Sequence, residues 1–192
     1  MRTPIGISNR HIHLSQSDAN TLFGSNYQLT KMKDLSQPGQ FAAEETVIIK
    51  GPKSEIAKVR VLGPYRKFSQ VEILASDNFK LGTNAPLRLS GDLEGSEPIE
   101  VIGPNGTLHL NQGLIVAKRH IHMTVADAEL FGVTDGQIVK VKTPGERGLV
   151  FDNVVIRVDD SFLLDMHIDI DEANAAGLGA GAWGEVIIEG KE

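Results

Sequence analysis

The 192-residue chain has no cysteine, which removes any disulfide framework and any thiolate metal ligand, so a bound metal must be held by nitrogen and oxygen donors. Lys/Arg-rich runs are also missing, and the formal charge is −6. That balance argues against a nucleic-acid surface while leaving room for a local basic pocket for a phosphorylated ligand. Long apolar runs are lacking too. No stretch approaches the ~20 residues of a membrane helix, and "MRTPIGISNRHIHL" is broken by proline, glycine and polar residues before it could form a secretory segment. These absences lead to an expectation of a cytoplasmic protein with no nucleic-acid and no membrane partner. Hydrophobic residues at 41% and charged residues at 23% suffice for an ordinary core, in one large domain or two small ones.

What is present is an internal repeat. "RHIHLSQSDA", from Arg10 to Ala19, pairs without a gap with "RHIHMTVADA", from Arg119 to Ala128, and one deletion brings Leu22-Phe23-Gly24 onto Leu130-Phe131-Gly132. Farther on, Val59, Glu72 and Gly82 fall on Val154, His167 and Gly177 with constant spacing. The repeat spans approximately residues 7–82 and 116–177. Two copies, each small for an independent domain, predict two related modules packed around a shared seam, where sites often form. The Gly- and Pro-rich span 81–106 is expected to hold turns and the crossing between modules.

Most of the remainder reads as short strands: "TVIIKGPK", "IAKVRVLGP", "SQVEILAS", "EPIEVIGPNG", "TLHL", "GLIVAKRHIHM", "QIVKVKTPGE", "VVIRVDD" and "EVIIEG". Many short strands favour barrels. After each HIH triplet a short helix is expected, because Ser15 with Asp18 and Thr124 with Asp127 fit capping boxes, and Gly24 and Gly132 supply the stops. The predicted class is mainly β: two related β-barrel modules capped by short α-helices, with a metal site at their interface.

Histidines two apart diverge on a helix but share one face of a strand. Ile12 and Ile121 would then anchor the core, leaving His11 with His13, and His120 with His122, as paired imidazole ligands. Four of the six histidines in the chain sit at these duplicated positions. His109 carries no such pattern and reads as an ordinary polar residue. In the repeat register Glu72 aligns with His167, so each module offers a third donor of a type that zinc accepts. The sulfur-free set suits Zn²⁺, while residue type alone leaves Mn²⁺, Fe²⁺, Co²⁺ and Ni²⁺ open. Arg66 has no counterpart, since Ser161 takes its place, and its forked donors suit an anion. Lys53 and Arg60 read as solvated residues or as a phosphate-holding patch.

With "SNRHIHL", "GPK", "VRVLGPYRKFSQVEI", "KRHIHM" and "DMHIDIDEANAAGLG" in order, nearly the whole chain resembles the phosphate acyltransferase family of the propanediol-utilisation type (phosphate propanoyltransferase). The resemblance implies transfer of a propanoyl or acetyl group between coenzyme A and inorganic phosphate, with two Zn²⁺ ions. It implies His11, His13 and Glu72 as ligands of one zinc and His120, His122 and His167 as ligands of the other. Arg66 matches the phosphate-binding arginine, while Ile7, Ser8, Asn9, Lys53, Arg60 and Asn174 match coenzyme A contacts. Strand exchange in the family implies one barrel from 1–9 plus 118–192 and the other from 10–117; similar proteins self-associate, so a homodimer is expected. Relatives housed in bacterial microcompartments carry an extension before the first motif, whereas "SNRHIHL" begins at residue 8, so a free cytosolic enzyme is the expectation. Direct attack of phosphate at a dinuclear zinc site is the expected chemistry. A dinuclear zinc hydrolase and a non-catalytic, metal-stabilised structural protein are the alternatives.

Overall fold

Runs rich in Val, Ile and Thr, cut by Gly, Pro and Asn, have little choice but short strands. In the computed structural model, which describes residues 1–188, they form β1 (Arg2–Ser8), β2 (His11–His13), β3 (Lys31–Asp34), β4 (Phe41–Lys50), β5 (Glu55–Gly63), β6 (Gln70–Ile73) and β7 (Leu87–Arg88). Then come β8 (Glu97–Ile102), β9 (Thr107–Ala117), β10 (His120–Met123), β11 (Ile138–Lys142), β12 (Val150–Val158), β13 (Asp165–Asp169) and β14 (Trp183–Ile187). The helices are α1 (Gln16–Phe23), α2 (Asp77–Leu81), α3 (Val125–Phe131) and α4 (Ile170–Ala176). No described helix is long and apolar enough to cross a membrane.

The chain forms two compact units, each a closed six-stranded barrel. One comprises Met1–Ser8, Ser36–Pro38 and the described residues from Lys118 onward, with strands in the order β1-β13-β10-β12-β11-β14. The other comprises Asn9–Leu35 and Gly39–Ala117. Its ring runs β4-β5-β2-β6-β9-β8 and returns to β4, with β3 added on β4 and β7 on β9. The rings share one pattern of pairing. Each HIH strand lies parallel to one neighbour (β5 or β12) and antiparallel to the other (β6 or β13). The strand beyond is again parallel, β9 to β6 and β1 to β13. β1 thus precedes one triplet in sequence and completes the barrel of the other.

Barrel closure leaves one face of every strand inside. Ile12, Val59, Val61, Val71 and Leu114 are wholly buried in one core, and Ile121, Val141, Val154, Ile156 and Met166 in the other. Each such aliphatic side chain contributes about 1.5–3 kcal/mol by leaving water. Lys58 and Asn153, equivalent in the repeat, both take a left-handed conformation, at φ 58° and 56°. Each barrel therefore carries the same backbone kink, costly for lysine and easier for asparagine.

Several expected boundaries move. "TLHL" and "GLIVA" form one strand, β9, because Gly113 at φ 135° bends the backbone without ending it. The break falls instead after Ala117, before the RHIH segment. The last two residues of "EVIIEG" lie outside the described residues. Two helices, α2 and α4, appear where only strands and turns were expected. The α3 box is complete, with Thr124 and Asp127 bonded reciprocally, whereas at α1 only Ser15 accepts from the Asp18 amide. There the Ser69 hydroxyl relays the second half, accepting from the Ser15 amide and donating to the Asp18 carboxylate.

Candidate functional site

In each barrel the isoleucine of the triplet points inward and its histidines outward. The outer face is nonetheless covered: His11, His13, His120 and His122 are all under one-tenth exposed, as is Glu72. Across the antiparallel partner, His11 lies opposite Glu72 and His13 opposite Gln70, while His120 lies opposite His167 and His122 opposite Asp165. Two triads result, His11–His13–Glu72 and His120–His122–His167, each with its donor atoms within 4.8 Å of one another.

Backbone carbonyls fix the leading ring of each triad. His11 Nδ1 lies 2.8 Å from the Asn9 carbonyl and His120 Nδ1 2.8 Å from the Lys118 carbonyl. Donation there leaves the Nε2 lone pair for the cluster, the usual arrangement behind a metal-binding imidazole. His11 Nε2 is 3.4 Å from Glu72 Oε2, and His13 Nε2 is 4.0 Å from Glu72 Oε1. His120 Nε2 and His122 Nε2 approach to 3.0 Å. Two nitrogens on a tetrahedral zinc would stand about 3.3–3.4 Å apart, given bonds of about 2.0–2.1 Å, so a small relaxation suffices. His13 Nδ1 is buried without a well-formed hydrogen bond, the Leu62 carbonyl acting on the ring but not placed to accept squarely. By donor chemistry and spacing, the residues fit a divalent ion at each triad.

Charge is arranged accordingly. Burial opposes ionisation of Glu72, yet His11, by charge and hydrogen bond, and then His13 hold its carboxyl well below the usual range. Burial also works against the His11 cation, but Glu72 and the Asn9 carbonyl raise its pKa above the ordinary value. His13 is driven well below it by burial, by His11 and by Arg66. The neutral His13 ring is the form that binds metal. Beside the other triad, burial tends to raise Asp165, but bonds from His167 and Ser36 keep its carboxyl below the usual range.

Arg66 enters from the turn after β5, its amide bonded to the Leu14 carbonyl at 2.8 Å and its Nη1 to Ser90 Oγ at 3.0 Å. Its charge reaches both His11 and His13. The residues assigned to coenzyme A are dispersed over both units. Ile7 and Ser8 end β1 beside Ile168 and Asp169, and Asn174 is exposed on α4, which packs on β1. In the other unit Asn9 leads into β2, and Lys53 Nζ sits 4.0 Å over the Phe79 ring, itself 81% exposed. Arg60, opposite His11 on β5, bonds the Ala43 and Glu44 carbonyls at 3.0 and 2.7 Å.

Sequence reasoning missed the first letter of the motif. Arg10 clamps Asp77 at the start of α2 through Nε and Nη2, at 2.7 and 2.9 Å, and Arg119 Nε meets Glu172 Oε1 of α4 at 2.7 Å. Asp77 and Glu172 align in the same register as Glu72 and His167, so the signal was the register itself. Each clamp ties the segment carrying the first two histidines of its triad to the helix that follows the third member.

The phosphate propanoyltransferase family model matches residues 4–179. A Thermotoga maritima phosphate propanoyltransferase is 58% identical over 178 residues, which is 92% of this chain and 85% of that protein. Proteins of the same name from Lachnoclostridium phytofermentans and Clostridioides difficile are 56% and 55% identical. These alignments cover 93% and 94% of this chain and 84% and 86% of those proteins.

Proposed function

The chain belongs to the phosphate propanoyltransferase family, an acyltransferase family, and on that footing we propose that it passes a propanoyl or acetyl group from coenzyme A to inorganic phosphate. The observation that carries the proposal is the pair of three-donor triads, one of them within electrostatic reach of Arg66. Three protein donors leave a fourth tetrahedral position open, which a purely structural zinc site would fill. We read each triad as the seat of a zinc ion; bound divalent ions would supply Lewis-acid polarisation and charge neutralisation.

Arg66 offers phosphate a planar fork of N–H donors, steadied by Ser90. A phosphate oxygen forms the new bond to the acyl carbon as the carbon–sulfur bond breaks, and the electron pair leaves on the coenzyme A sulfur. The chain has no cysteine to carry the acyl group, and direct transfer needs none. Orientation of two bound reactants can supply roughly 7–11 kcal/mol of the barrier. Lys53 and Arg60 would meet phosphates of coenzyme A, with Ile7, Ser8, Asn9 and Asn174 contacting the remainder.

The test is thiol release from propanoyl- and acetyl-coenzyme A by metal-loaded and metal-stripped protein, with and without phosphate. Phosphate-dependent release that needs metal, and obeys a ternary-complex rate law, is expected. Release without phosphate would make the protein a hydrolase, and ping-pong kinetics with retained acyl label would overturn direct transfer.

A further inference from the structure

The strands that supply the third ligand, β6 and β13, each carry a second polar side chain on the same face two residues earlier. Gln70 is 2% exposed and Asp165 6% exposed, and the two are equivalent in the repeat. Each bonds the third ligand of its own triad. Gln70 Nε2 donates to Glu72 Oε1 at 2.6 Å, and Asp165 Oδ2 accepts from His167 Nε2 at 3.0 Å.

We propose that Gln70 and Asp165 are matched positioning residues, each chosen by the chemistry of the ligand it holds: an amide donor behind a carboxylate ligand, a carboxylate acceptor behind an imidazole ligand. The Gln70 amide is oriented from its far side, because the Gly91 amide donates to its Oε1 at 2.7 Å. Only the NH₂ group can then face Glu72, and its second hydrogen reaches Ser90 Oγ at 3.0 Å. A buried glutamate at position 70 would set two carboxylates against one another. In the other barrel Asp165 claims the proton of His167 Nε2, which fixes the tautomer and leaves Nδ1 as the ring nitrogen with a free lone pair. An amide there could present the wrong hydrogen-bonding group, and an aliphatic residue would leave His167 Nε2 with only its longer contact to Ser36 Oγ, 3.4 Å. Each site so retains one buried carboxylate, a ligand in one barrel and the support of a ligand in the other, two residues apart in the aligned strands.

This inference rests on the triads binding metal, so the test begins with wild type. Zinc content and affinity are measured by competition with a chromophoric chelator. Failure of wild type to bind overturns the reading of the triads; the variants address the positioning residues alone. Asp165→Asn should weaken one of two zinc ions by about 10–100-fold and leave the other unchanged, a selectivity that a general loss of stability would not produce. Glu72→His should lose zinc from its site, and adding Gln70→Asp should restore affinity at least tenfold, because the pair then reproduces that of β13. Asp165→Asn with both affinities intact, or a Gln70→Asp/Glu72→His protein that binds no better than Glu72→His, would overturn the proposal. Should Asp165→Asn fail to fold, the paired change in the other barrel decides.

Discussion

Removing the arginine of the first RHIH motif should cost more than removing that of the second, and the structure says by how much. Arg10 grips both oxygens of Asp77, which also accepts the Leu74 amide at 3.1 Å. Exposed ion pairs are worth about 0–1 kcal/mol, whereas stripping one partner from a buried pair costs about 3–5 kcal/mol. With side-chain exposures of 29% for Arg10 and 6% for Asp77, Arg10→Ala falls between these limits, at about 2–3 kcal/mol. At about 2–4 °C per kcal/mol for a chain of this size, the melting temperature should drop by roughly 4–12 °C. The Arg119–Glu172 pair is wetter, at 28% and 24%, and should couple by about 1 kcal/mol or less. Double-mutant cycles, Arg10→Ala with Asp77→Ala and Arg119→Ala with Glu172→Ala, followed by circular dichroism in urea, measure both. A coupling for Arg10 and Asp77 below about 0.5 kcal/mol, within the additivity of independent sites, would refute the reasoning, as would a stronger coupling for Arg119.

A methyl group at Gly6 would stand 2.9 Å from Asp165 Oδ2 and 3.0 Å from His167 Cδ2. Gly6→Ala should therefore cost about 1–3 kcal/mol through overpacking and weaken metal at that triad alone, so a chelator titration with both affinities unchanged would contradict the crowding. Glu45 accepts from the Thr30 amide at 2.9 and 3.2 Å and from the Tyr27 hydroxyl at 3.0 Å. Burial tends to raise its carboxyl, but these bonds leave it below the ordinary value. A depressed folded-state pKa adds stability above the unfolded value of about 4.3 that is lost as pH falls through the folded one. Glu45→Gln should thus destabilise by about 1–2 kcal/mol at pH 7, with the gap to wild type closing below about pH 4; a gap constant from pH 8 to pH 3 in urea titrations would rule this out.

The two triads could be read from sequence because strand geometry turns a spacing of two into a shared face, and because the duplication repeats it. The third donors needed the weaker register that sets Glu72 on His167. That register also held Arg10 against Asp77 and Arg119 against Glu172, and set Gln70 on Asp165. These pairings were overlooked because an arginine before a histidine pair and a glutamine on a strand look ordinary until a buried partner is seen. The helix α4 was legible as well: Asp169 and Glu172 form a reciprocal capping box, and Gly177 closes the helix in a left-handed conformation. It was obscured by an apolar alternation running straight into it from β13. The Ser69 relay at α1 depends on a side chain far along the chain, which no local pattern announces.

The pairing of β1 has a consequence for how the protein is made. Arg2 pairs with Glu185 and Ile5 with Met166, so β1 docks between β13 and β14, two strands synthesised long after it. Residues 9–117 carry every strand of their own ring and can close during translation. The other ring must wait, with β1 held unpaired until β13 and β14 emerge, and contacts so distant in sequence form slowly. A peptide of residues 1–8 added in trans to a chain lacking them is a natural complement, inserting parallel to β13 and antiparallel to β14.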